Sequence, residues 1–395
     1  MIKILDSNKN NFNYLLDRLL LKRKNKMIYN SKGVVKIIKD VKKNGDKAIL
    51  KYEKKFSKNS IIVPNPRSIK KTILKLNPKV KKAIDLAYSR IYKFHSMQKF
   101  KDILYIDKLK NKLEYKHRPI DSVGIYVPGS NVSYPSSVLM NAVPALIAGV
   151  KRIVMINPGK NGSQNPAVLY AAKKCKISEI YSIGGPAAIA AITYGTKKIK
   201  KVSKIVGPGS ALVAAAKKEV FGDIGTEGMA AGPSEVTIVC DKFSNPVWIA
   251  SDLIGQAEHD EFAQCILISK NKYFINKVQS SIKHQLKELP RALIAKKSLL
   301  TYGIFIHMVS DKKIIDTINK ISPEHLELNI KNYKDIVDKV SAGSISLGKY
   351  AVTAMTDYNV GVNHTLPTNS SAKYASGLSV SEFIKRISVV TLSKK

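Results

Sequence analysis

Apolar residues recur with a helical period along the first hundred residues of the chain. Residues 10–21, 31–56 and 78–98 place apolar side chains three or four positions apart, with lysines between them. This pattern predicts one short and two longer amphipathic helices. The lysine runs are then the solvated faces of these helices.

The pattern changes near residue 115, where short apolar runs begin to alternate with alanine-rich helical stretches. The predicted strands are Ser122–Val127, Arg152–Ile156, Glu179–Ile183, Lys204–Val206, Glu235–Val239, Cys265–Ser269, Ile304–Val309 and Ser344–Leu347. The predicted helices between the first five of them are 134–148, 166–174, 186–194 and 210–219. Strands separated by helices of this length indicate an α/β protein with doubly wound, mostly parallel sheets.

Three of the predicted strands end at glycine turns, which span Val127–Ser130, Ile183–Pro186 and Val206–Ser210. A glycine turn that leads into a helix exposes backbone N–H groups at the positive end of the helix dipole, which suits a dinucleotide phosphate. None of the three has the G-x-G-x-x-G spacing. Each turn is therefore equally compatible with a tight strand-to-helix connection.

The chain is strongly basic, with 67 lysines and arginines against 29 acidic residues and a formal net charge of +38. Lysine supplies 59 of the basic residues and arginine only 8. Proteins that recognise phosphate specifically rely on the planar fork of arginine. We therefore expect no specific nucleic-acid partner, although weak attraction to polyanions at low salt follows from the charge.

The cysteines and the apolar stretches indicate the compartment. Cys175, Cys240 and Cys265 are far apart and lack C-x-x-C spacing, which favours a reducing cytoplasm over a disulfide framework or a cysteine-based zinc site. The N-terminus lacks the apolar segment of a signal peptide. The longest apolar stretch, 138–150, is too short to cross a membrane. The sequence thus predicts a cytoplasmic protein without a membrane partner.

Two pairs of polar residues are candidates for chemistry. Gln256 and His259 follow an apolar helical run and, three positions apart, are predicted on one helical face. Glu324 and His325 place a carboxylate beside an imidazole at a proline-marked break after a helix. From the residues alone, a lone helical histidine such as His259 is more often a surface or core residue than a ligand, and Glu324–His325 is also compatible with a helix end.

A third candidate segment contains Asp357, followed by His364 in a loop with glycine and asparagine. Carboxylate, neutral imidazole and amide oxygen together form a donor set compatible with Zn²⁺. The other four histidines are interpreted as structural, and they are His95, His117, His284 and His307.

Five motifs together resemble the histidinol dehydrogenase family, in the order and at the spacing of that family. They are Gly124–Gly129, Gly232–Glu235, Gln256–His259, Ser322–Glu327 and Asn363–Thr368. The resemblance extends over essentially the whole chain from the first helix onward.

The resemblance implies the oxidation of L-histidinol to L-histidine in two successive NAD-dependent steps through an aldehyde, the last step of histidine synthesis. It also implies a zinc-dependent homodimer. By this resemblance Gln256, His259 and Asp357 hold Zn²⁺ and contact the substrate, Ser234, His325 and His364 contact the substrate, and Tyr126 contacts NAD.

The same resemblance implies a division of proton transfers between adjacent residues. His325 takes the hydroxyl proton during alcohol oxidation, which is the usual role of an imidazole near neutral pH. Glu324 deprotonates the water that attacks the aldehyde. Zinc mainly orients the imidazole and amino nitrogens of the substrate.

The resemblance further implies two incomplete Rossmann-like domains and sets their expected boundaries. Residues 1–21 are expected to form an N-terminal helical arm. Residues 22–125 and 236–378 would form the larger domain, which carries the zinc ligands and catalytic residues. Residues 126–235 would form the inserted NAD-side domain, and residues 379–395 a remnant of a C-terminal helical domain.

The sequence departs from the family pattern in three places. Ala187 stands where the family has Gln and Ser210 where it has Asn, so two cofactor-binding positions have lost polar contacts. A C-terminal segment that supplies a zinc-binding histidine and a substrate-binding glutamate in the family has no counterpart before Lys395. We therefore expect weaker zinc binding and impaired activity.

Three other interpretations remain open at this level. The chain would be a zinc-dependent dehydrogenase of the same family that acts on another small amino or hydroxy alcohol. Alternatively, it would be a decayed, non-catalytic relative, as the departures suggest. Its charge alone would also allow a polyanion-binding protein.

Overall fold

The computed structural model describes residues 2–26, 31–129, 134–159, 163–228 and 232–394. Contacts divide the chain into two compact units. Unit 1 comprises Met1–Tyr29, Gly228–Tyr358 and Leu366–Gly377. Unit 2 comprises Asn30–Glu227, Asn359–Thr365 and Leu378–Lys395.

The strands, in chain order, are β1 (Lys3–Asp6), β2 (Ile103–Ile106), β3 (Lys112–Pro119), β4 (Ser122–Tyr126), β5 (Arg152–Ile156), β6 (Glu179–Tyr181), β7 (Lys204–Val206), β8 (Gly225–Thr226), β9 (Glu235–Cys240), β10 (Gln264–Ser269), β11 (Ile304–His307), β12 (His325–Asn329), β13 (Ser344–Leu347) and β14 (Ile384–Thr391).

The helices are α1 (Phe12–Lys26), α2 (Ser31–Asn44), α3 (Asp46–Ser57), α4 (Pro66–Leu74), α5 (Pro78–Ser96), α6 (Pro135–Ala148), α7 (Pro166–Lys174), α8 (Gly185–Tyr194), α9 (Ala211–Glu219), α10 (Pro246–Ala257), α11 (Lys272–Gln285), α12 (Ala292–Tyr302), α13 (Asp311–Ile321), α14 (Lys334–Val337) and α15 (Thr353–Met355). A π-helical turn spans Thr356–Val360, and 3₁₀ turns span Ser371–Lys373 and Val380–Phe383.

Asn-Pro pairs mark where several helices begin. Asn65, Asn77, Asn165 and Asn245 each precede a proline, and each side chain accepts a hydrogen bond from the backbone N–H two residues later. The asparagine satisfies a donor that the helix leaves unpaired, and the proline has no N–H to satisfy. Helices α4, α5, α7 and α10 therefore start at positions that local chemistry specifies.

Unit 1 is built on a six-stranded parallel sheet with the order β1-β11-β10-β9-β12-β13. Residues from α10, α11 and α12 pack on one face of this sheet. Residues from α1 and α13 pack on the other face. The strand order reverses direction at β9, which is the arrangement of a doubly wound α/β sheet.

Unit 2 repeats this order in a five-stranded parallel sheet, β6-β5-β4-β7-β8, which reverses at β4. Residues from α2, α3, α8 and α9 form a hydrophobic core with strands of this sheet. A separate three-stranded antiparallel sheet has the order β14-β3-β2. The predicted α/β class with Rossmann-like parallel sheets is confirmed.

The two units divide the chain differently from the expected domains. Residues 31–125 lie in unit 2 with the parallel sheet of residues 122–226, and not with residues 236–358 and 366–377. The reason is visible in the core of unit 2, where Val34, Ile38 and Ile49 pack with Ile189 and Ile192 of α8. Helical periodicity shows that a helix has an apolar face but does not show which sheet covers it.

Three local predictions also need correction. The helix predicted over 31–56 is two helices, α2 and α3, because Gly45 interrupts it with a φ of 52°. The expected helical arm over 1–21 begins with β1, which pairs with β11. Residues 379–395, expected as a helical remnant, contain β14, which pairs along its whole length with β3.

Cys175, Cys240 and Cys265 are all free and buried. Burial raises the pKa of Cys175 and of Cys265 to about 12, so both remain protonated thiols at neutral pH. No helix in the described ranges is both long enough and apolar enough to span a bilayer.

Gly207 provides a test of the packing in unit 2. A Cβ at this position, where φ is +106°, would lie 2.4 Å from the carbonyl oxygen of Tyr126. At Gly222, where φ is +100°, a Cβ would meet no heavy atom within 4 Å. Both Gly→Ala changes carry backbone strain of order 1–3 kcal/mol, but Gly207→Ala must also displace a strand, which adds about 1–3 kcal/mol. Urea unfolding should show the larger loss for Gly207→Ala, and equal losses would contradict this packing.

Candidate functional site

The candidate residues of unit 1 converge on the amino ends of two neighbouring strands. Strand β9 pairs in parallel with β12, with His325 opposite Val236. Ser234 and Glu235 lead into β9, and Glu324 and His325 lead into β12. Because the strands are parallel, these four residues share one edge of the sheet.

Glu235 and Glu324 hold one another through crossed hydrogen bonds. The N–H of Glu235 donates to Oε2 of Glu324 at 2.8 Å. The N–H of Glu324 donates to Oε2 of Glu235 at 3.4 Å. Only 4% of Glu235 and 7% of Glu324 is exposed, and Arg23 forms a buried ion pair with Glu235. The edge of the sheet therefore holds two buried carboxyl groups beside one guanidinium.

His325 lies between two carboxylates. Its Nε2 is 3.6 Å from Oδ1 of Asp357 and 3.9 Å from Oε1 of Glu324. Burial raises the pKa of Glu324 well above its ordinary value, and the charges of Glu235 and Asp357 add to the shift. Burial and the charge of Glu327 raise the pKa of Asp357 to about 7. Carboxyl groups so perturbed in contact with an imidazole are typical of proton-transfer sites.

Two further buried carboxyl groups, Asp252 and Glu327, extend this acidic region. Oε1 of Glu327 accepts hydrogen bonds from the N–H and the Oγ1 of Thr353, at 2.8 and 2.7 Å. Burial raises the pKa of Glu327, and burial with the charge of Glu327 raises that of Asp252 to about 7. One oxygen each of Asp252 and Glu327 is buried without a partner in the described structure. In a chain of net charge +38, this concentration of acids favours a bound cation.

Gln256 and His259 do not share a helical face, contrary to the prediction. Helix α10 ends at Ala257, and His259 lies in the turn beyond it, with its N–H donating to the carbonyl of Gln256 at 3.3 Å. His259 is exposed, yet desolvation by surrounding protein lowers the pKa of its imidazole. The charge of Arg291 also lowers this pKa, whereas the charges of Glu258 and Asp260 raise it. Its neutral imidazole is the form that binds metals.

Gln256, His259 and Asp357 carry amide, imidazole and carboxylate donors, which are types that Zn²⁺ accepts. Gln256 is buried, and its Nε2 has no hydrogen-bond partner in the described structure. A buried amide nitrogen without a partner is rare in proteins. If the amide is flipped so that its oxygen takes the place of Nε2, a ligand bound to that oxygen accounts for the missing partner. Across the described ranges, no group of three or more His, Cys, Asp or Glu residues is arranged to hold a metal ion. The expected zinc ligands include only two residues of these four types, His259 and Asp357, because the third is Gln256.

The glycine turns of unit 2 lie at the carboxyl ends of its strands, near the point where strand order reverses. Tyr126 ends β4, and its hydroxyl accepts a hydrogen bond from the N–H of Gly185 at 3.1 Å. Oε1 of the buried Glu53 accepts one from the N–H of Gly184 at 2.7 Å. Burial raises the pKa of Tyr126 to about 12, so its hydroxyl stays protonated. Two N–H groups at the start of α8 are thus already engaged.

The two positions that depart from the family pattern differ in exposure. Ala187, in the first turn of α8, is 2% exposed and packs in the hydrophobic core of unit 2. Ser210 is exposed, caps the start of α9, and makes no side-chain capping bond there. Of the two, only Ser210 presents its side chain to solvent. Ser130, at the first glycine turn, lies outside the described residues.

His364 belongs to unit 2 with residues 359–365. Its neighbour Asn363 is buried and donates to the carbonyl of Met140 at 2.7 Å, and the N–H of Thr365 donates to Oδ1 of Asn363 at 2.9 Å. These bonds fix the backbone on both sides of His364. His95 is fully buried, and its Nδ1 lies 2.9 Å from the carbonyl of Ile91, which fits the structural role expected for it.

Sequence reasoning missed several charged residues of these sites, namely Arg23, Glu53, Asp252 and Glu327. One signal was available for Arg23, since arginine is rare in this lysine-rich chain. Another was available for Asp252, which precedes Gln256 by one helical turn of α10. No local signal marks Glu53, because its partner is a glycine turn more than a hundred residues away.

Comparison with known proteins identifies relatives along the whole chain. The histidinol dehydrogenase family model matches residues 21–395. The chain is 75% identical over 396 residues to the histidinol dehydrogenase of Pelagibacter ubique strain HTCC1062, covering 100% of this chain and 92% of that one. It is 45% identical over 361 residues to the histidinol dehydrogenase of Rhizobium meliloti strain 1021, covering 90% and 83%.

A solved structure agrees with these matches. The crystal structure of histidinol dehydrogenase from Elizabethkingia anophelis superimposes with a TM-score of 0.91 at 34% identity, covering 100% of this chain and 91% of that one. The five motifs, the parallel sheets and the relatives agree with one another. The chain belongs to the histidinol dehydrogenase family.

Proposed function

We propose that the site residues of this oxidoreductase carry out both oxidations of L-histidinol, first to the aldehyde and then to L-histidine, with NAD as acceptor and Zn²⁺ as cofactor. The observation that carries the proposal is the position of His325 between Glu324 and Asp357 at the shared edge of β9 and β12. Two acids beside one imidazole supply the proton acceptors that two oxidations require.

Gln256, His259 and Asp357 would hold the metal. They supply three ligands and leave a position for water, substrate or a ligand from another chain, as in catalytic zinc sites. Zinc, when bound, would orient and polarise the imidazole and amino nitrogens of the substrate. The acidic surroundings formed by Asp252, Glu327 and Asp357 would favour both the metal and the ammonium group of histidinol.

By the family resemblance, Ser234 and His364 are also proposed as substrate contacts. Ser234 is half-buried at the start of β9, and the N–H of Gln264 donates to its carbonyl at 3.0 Å, which holds the backbone that carries its hydroxyl. His364 is half-buried between the fixed residues Asn363 and Thr365. A hydroxyl and an imidazole on rigid backbone suit the polar groups of an amino alcohol.

In the first oxidation His325 would take the proton of the substrate hydroxyl as hydride leaves the adjacent carbon. The imidazolium that forms is stabilised by the carboxylates of Asp357 and Glu324, 3.6 and 3.9 Å away. The carboxylates also restrict the imidazole orientation. No other proton acceptor is needed for this step.

In the second oxidation Glu324 would take a proton from the water that attacks the aldehyde carbon, and hydride then leaves the resulting hydrate. A carboxyl group with a raised pKa is a stronger base than an ordinary glutamate once it is ionised. A cation bound next to Glu324 would lower its pKa and favour the ionised form. The acidic region around His325 is suited to such a cation.

Unit 2 would bind NAD, which accepts the hydride at each step. Tyr126 lies at the carboxyl end of β4, the strand where the sheet order reverses, and dinucleotides bind at this end of doubly wound sheets. The start of α9 at Ser210 is open to an anion, whereas Glu53 and Tyr126 already engage the start of α8. Ala187 would contribute only packing of its methyl group.

The enzyme would act as a homodimer. The antiparallel sheet β14-β3-β2 leaves apolar side chains exposed, among them all four residues of β2. An exposed apolar edge strand in a monomer promotes aggregation, and association with a second copy would cover it. The three free thiols fit a reducing compartment, which supports the cytoplasm as the location.

The proposed proton transfers predict different effects on the two half-reactions. His325→Ala should slow NADH formation from histidinol by about 10²–10⁴-fold, as expected for a positioned base. Glu324→Gln should leave aldehyde formation largely intact and slow oxidation of supplied aldehyde. Both variants are assayed with each substrate, after zinc removal by a chelator and after zinc is restored.

The wild-type protein is the reference in this experiment. It should form NADH from histidinol and from the aldehyde, and chelation should abolish both until zinc is returned. Equal effects of the two substitutions on both substrates would contradict the division of proton transfers. A wild-type protein inactive with both substrates in excess zinc would contradict the proposed activity itself.

The buried carboxyl group of Glu324 is expected to make the folded protein less stable as pH rises. Because the pKa of Glu324 in the folded state lies above its ordinary value of 4.5, stability falls as pH rises from 4.5 through the folded pKa. Glu324→Gln removes this loss, so zinc-free variant protein should be more stable than wild type at alkaline pH and show no gain below pH 4.5.

Glu179→Gln is the control, because the ionised Glu179 stabilises the folded protein whereas the ionised Glu324 destabilises it. The ion pair with Arg152 lowers the pKa of Glu179, so its stabilisation is present at neutral pH and disappears in acid. This variant should be less stable than wild type at neutral pH by up to about 1 kcal/mol. Urea unfolding over a range of pH measures both differences, and a Glu324→Gln gain that does not grow with pH would contradict the buried, uncharged carboxyl group.

A further inference from the structure

Arg23 is a buried arginine in a chain that uses lysine almost everywhere else. It lies on α1, is 2% exposed, and is one of 8 arginines against 59 lysines. Its three nitrogens each donate to a different acceptor. Nη1 binds the carboxylate of Glu235, Nη2 binds the carbonyl of Pro233, and Nε binds the carbonyl of Phe262 at 2.8 Å.

This arrangement requires the planar fork of arginine. The guanidinium joins the segment before β9 to the segment before β10 and to a side chain of β9 itself. A lysine ammonium carries its donors on a single atom and cannot span three acceptors so arranged. Arg23 therefore holds Glu235 in one place and one orientation.

Glu235 passes this constraint to Glu324. Oε1 of Glu235 binds Arg23 and accepts the N–H of Asn369 at 2.9 Å, while Oε2 faces the N–H of Glu324 at 3.4 Å. The N–H of Glu235 in turn donates to the carboxylate of Glu324 at 2.8 Å. The path from Arg23 to the Glu324 carboxylate thus consists of hydrogen bonds and the covalent frame of Glu235, all within unit 1.

The charge of Glu235 also requires its ion pair with Arg23. Two buried carboxylates side by side repel each other and would separate or take up a proton. The guanidinium neutralises Glu235 and allows it to stay beside Glu324. Removal of one partner of a buried pair leaves an uncompensated charge, which is strongly unfavourable.

We propose that Arg23 is a positioning residue which, through Glu235, fixes the carboxylate of Glu324 at the edge of β9 and β12. Arg23 touches neither substrate nor cofactor in this account. The catalytic consequence rests on the proposed role of Glu324 as the base for water attack. Loss of the arginine fork should then slow aldehyde oxidation through kcat, while alcohol oxidation, which depends on His325, is largely retained.

The test compares Arg23→Lys with Arg152→Lys. Arg152 also pairs with a glutamate, Glu179, and also donates to two backbone carbonyls, those of Lys200 and Lys201. It contacts none of the proposed site residues through these bonds. The control therefore loses the same kind of fork without disturbing Glu324.

Arg23→Lys should lower kcat for the aldehyde by about tenfold or more, because displacement of a reacting group by an ångström has effects of this order. KM for the aldehyde and the rate of the first oxidation should change little, and Arg152→Lys should match wild type in both. Glu235→Gln, which removes the partner charge, should reproduce the selective loss if Arg23→Lys folds poorly. Equal losses in both half-reactions, in proportion to the unfolded fraction seen in thermal melts, would overturn the proposal.

A positional measurement separates this proposal from the proposed activity. Crystal structures of wild type and Arg23→Lys, without substrate, should show the 2.8 Å contact between the N–H of Glu235 and Glu324 only in the wild type. An undisplaced Glu324 carboxylate in the variant would overturn the proposal. A wild type that oxidises neither substrate would refute the activity, and the crystal structures would still decide the role of Arg23.

Discussion

The parallel pairing of β9 with β12 is the constraint on which the site in unit 1 depends. With His325 opposite Val236, the residues that precede the two strands meet at one edge of the sheet. A shift of one residue in this register would reverse the direction of every side chain along β12 and move His325 away from Asp357. The backbone bonds from Gly343 to Pro323 and from Ser344 to Glu324, at 2.9 and 2.8 Å, hold the other side of the same segment. The register is thus specified by neighbours on both sides.

The candidate sites of the two units lie at opposite ends of their parallel strands. In unit 2 the candidate cofactor residues lie at the carboxyl ends of β4 and β7, where ligands usually bind in doubly wound sheets. In unit 1 the polar residues lie at the amino ends of β9 and β12. The same strand order therefore presents opposite ends of its sheet for chemistry. The buried acids of unit 1 reduce stability at neutral pH, a common property of functional sites.

The sequence predicted most of the buried strands but missed β12. Strands Arg152–Ile156 and Lys204–Val206 lie where the apolar runs place them, because strands of parallel sheets are covered on both faces and read as continuous apolar segments. The edge strand Ser344–Leu347 also has its predicted bounds. Strands β1, β2, β3, β8, β12 and β14 were missed. Strands β2, β3 and β14 are largely exposed and pair in an antiparallel sheet, whereas β12 is fully buried but alternates leucines with polar residues. Strands β3 and β14 mix apolar with charged residues, whereas β2 is an apolar run of four residues that the prediction did not include.

The candidate site was predictable only as a set of short motifs. Glu324 and His325 are adjacent in sequence, so their proximity follows directly, whereas Asp357 joins them through a turn that no periodicity predicts. The position of His259 beyond the end of α10 depends on where that helix stops. Arg23 is separated from Glu235 by more than two hundred residues. Long-range ion pairs of this kind depend on how complete helices pack on a sheet, and that information is spread over the whole chain.

The central claim is that one site carries both oxidations, and the stoichiometry of the complete reaction tests it most directly. Zinc-loaded protein with excess NAD and a limiting amount of L-histidinol should yield two molecules of NADH for each histidine formed. NMR of the same mixture should show histidine without accumulation of the free aldehyde. One NADH per histidinol, with aldehyde accumulating in solution, would contradict the account.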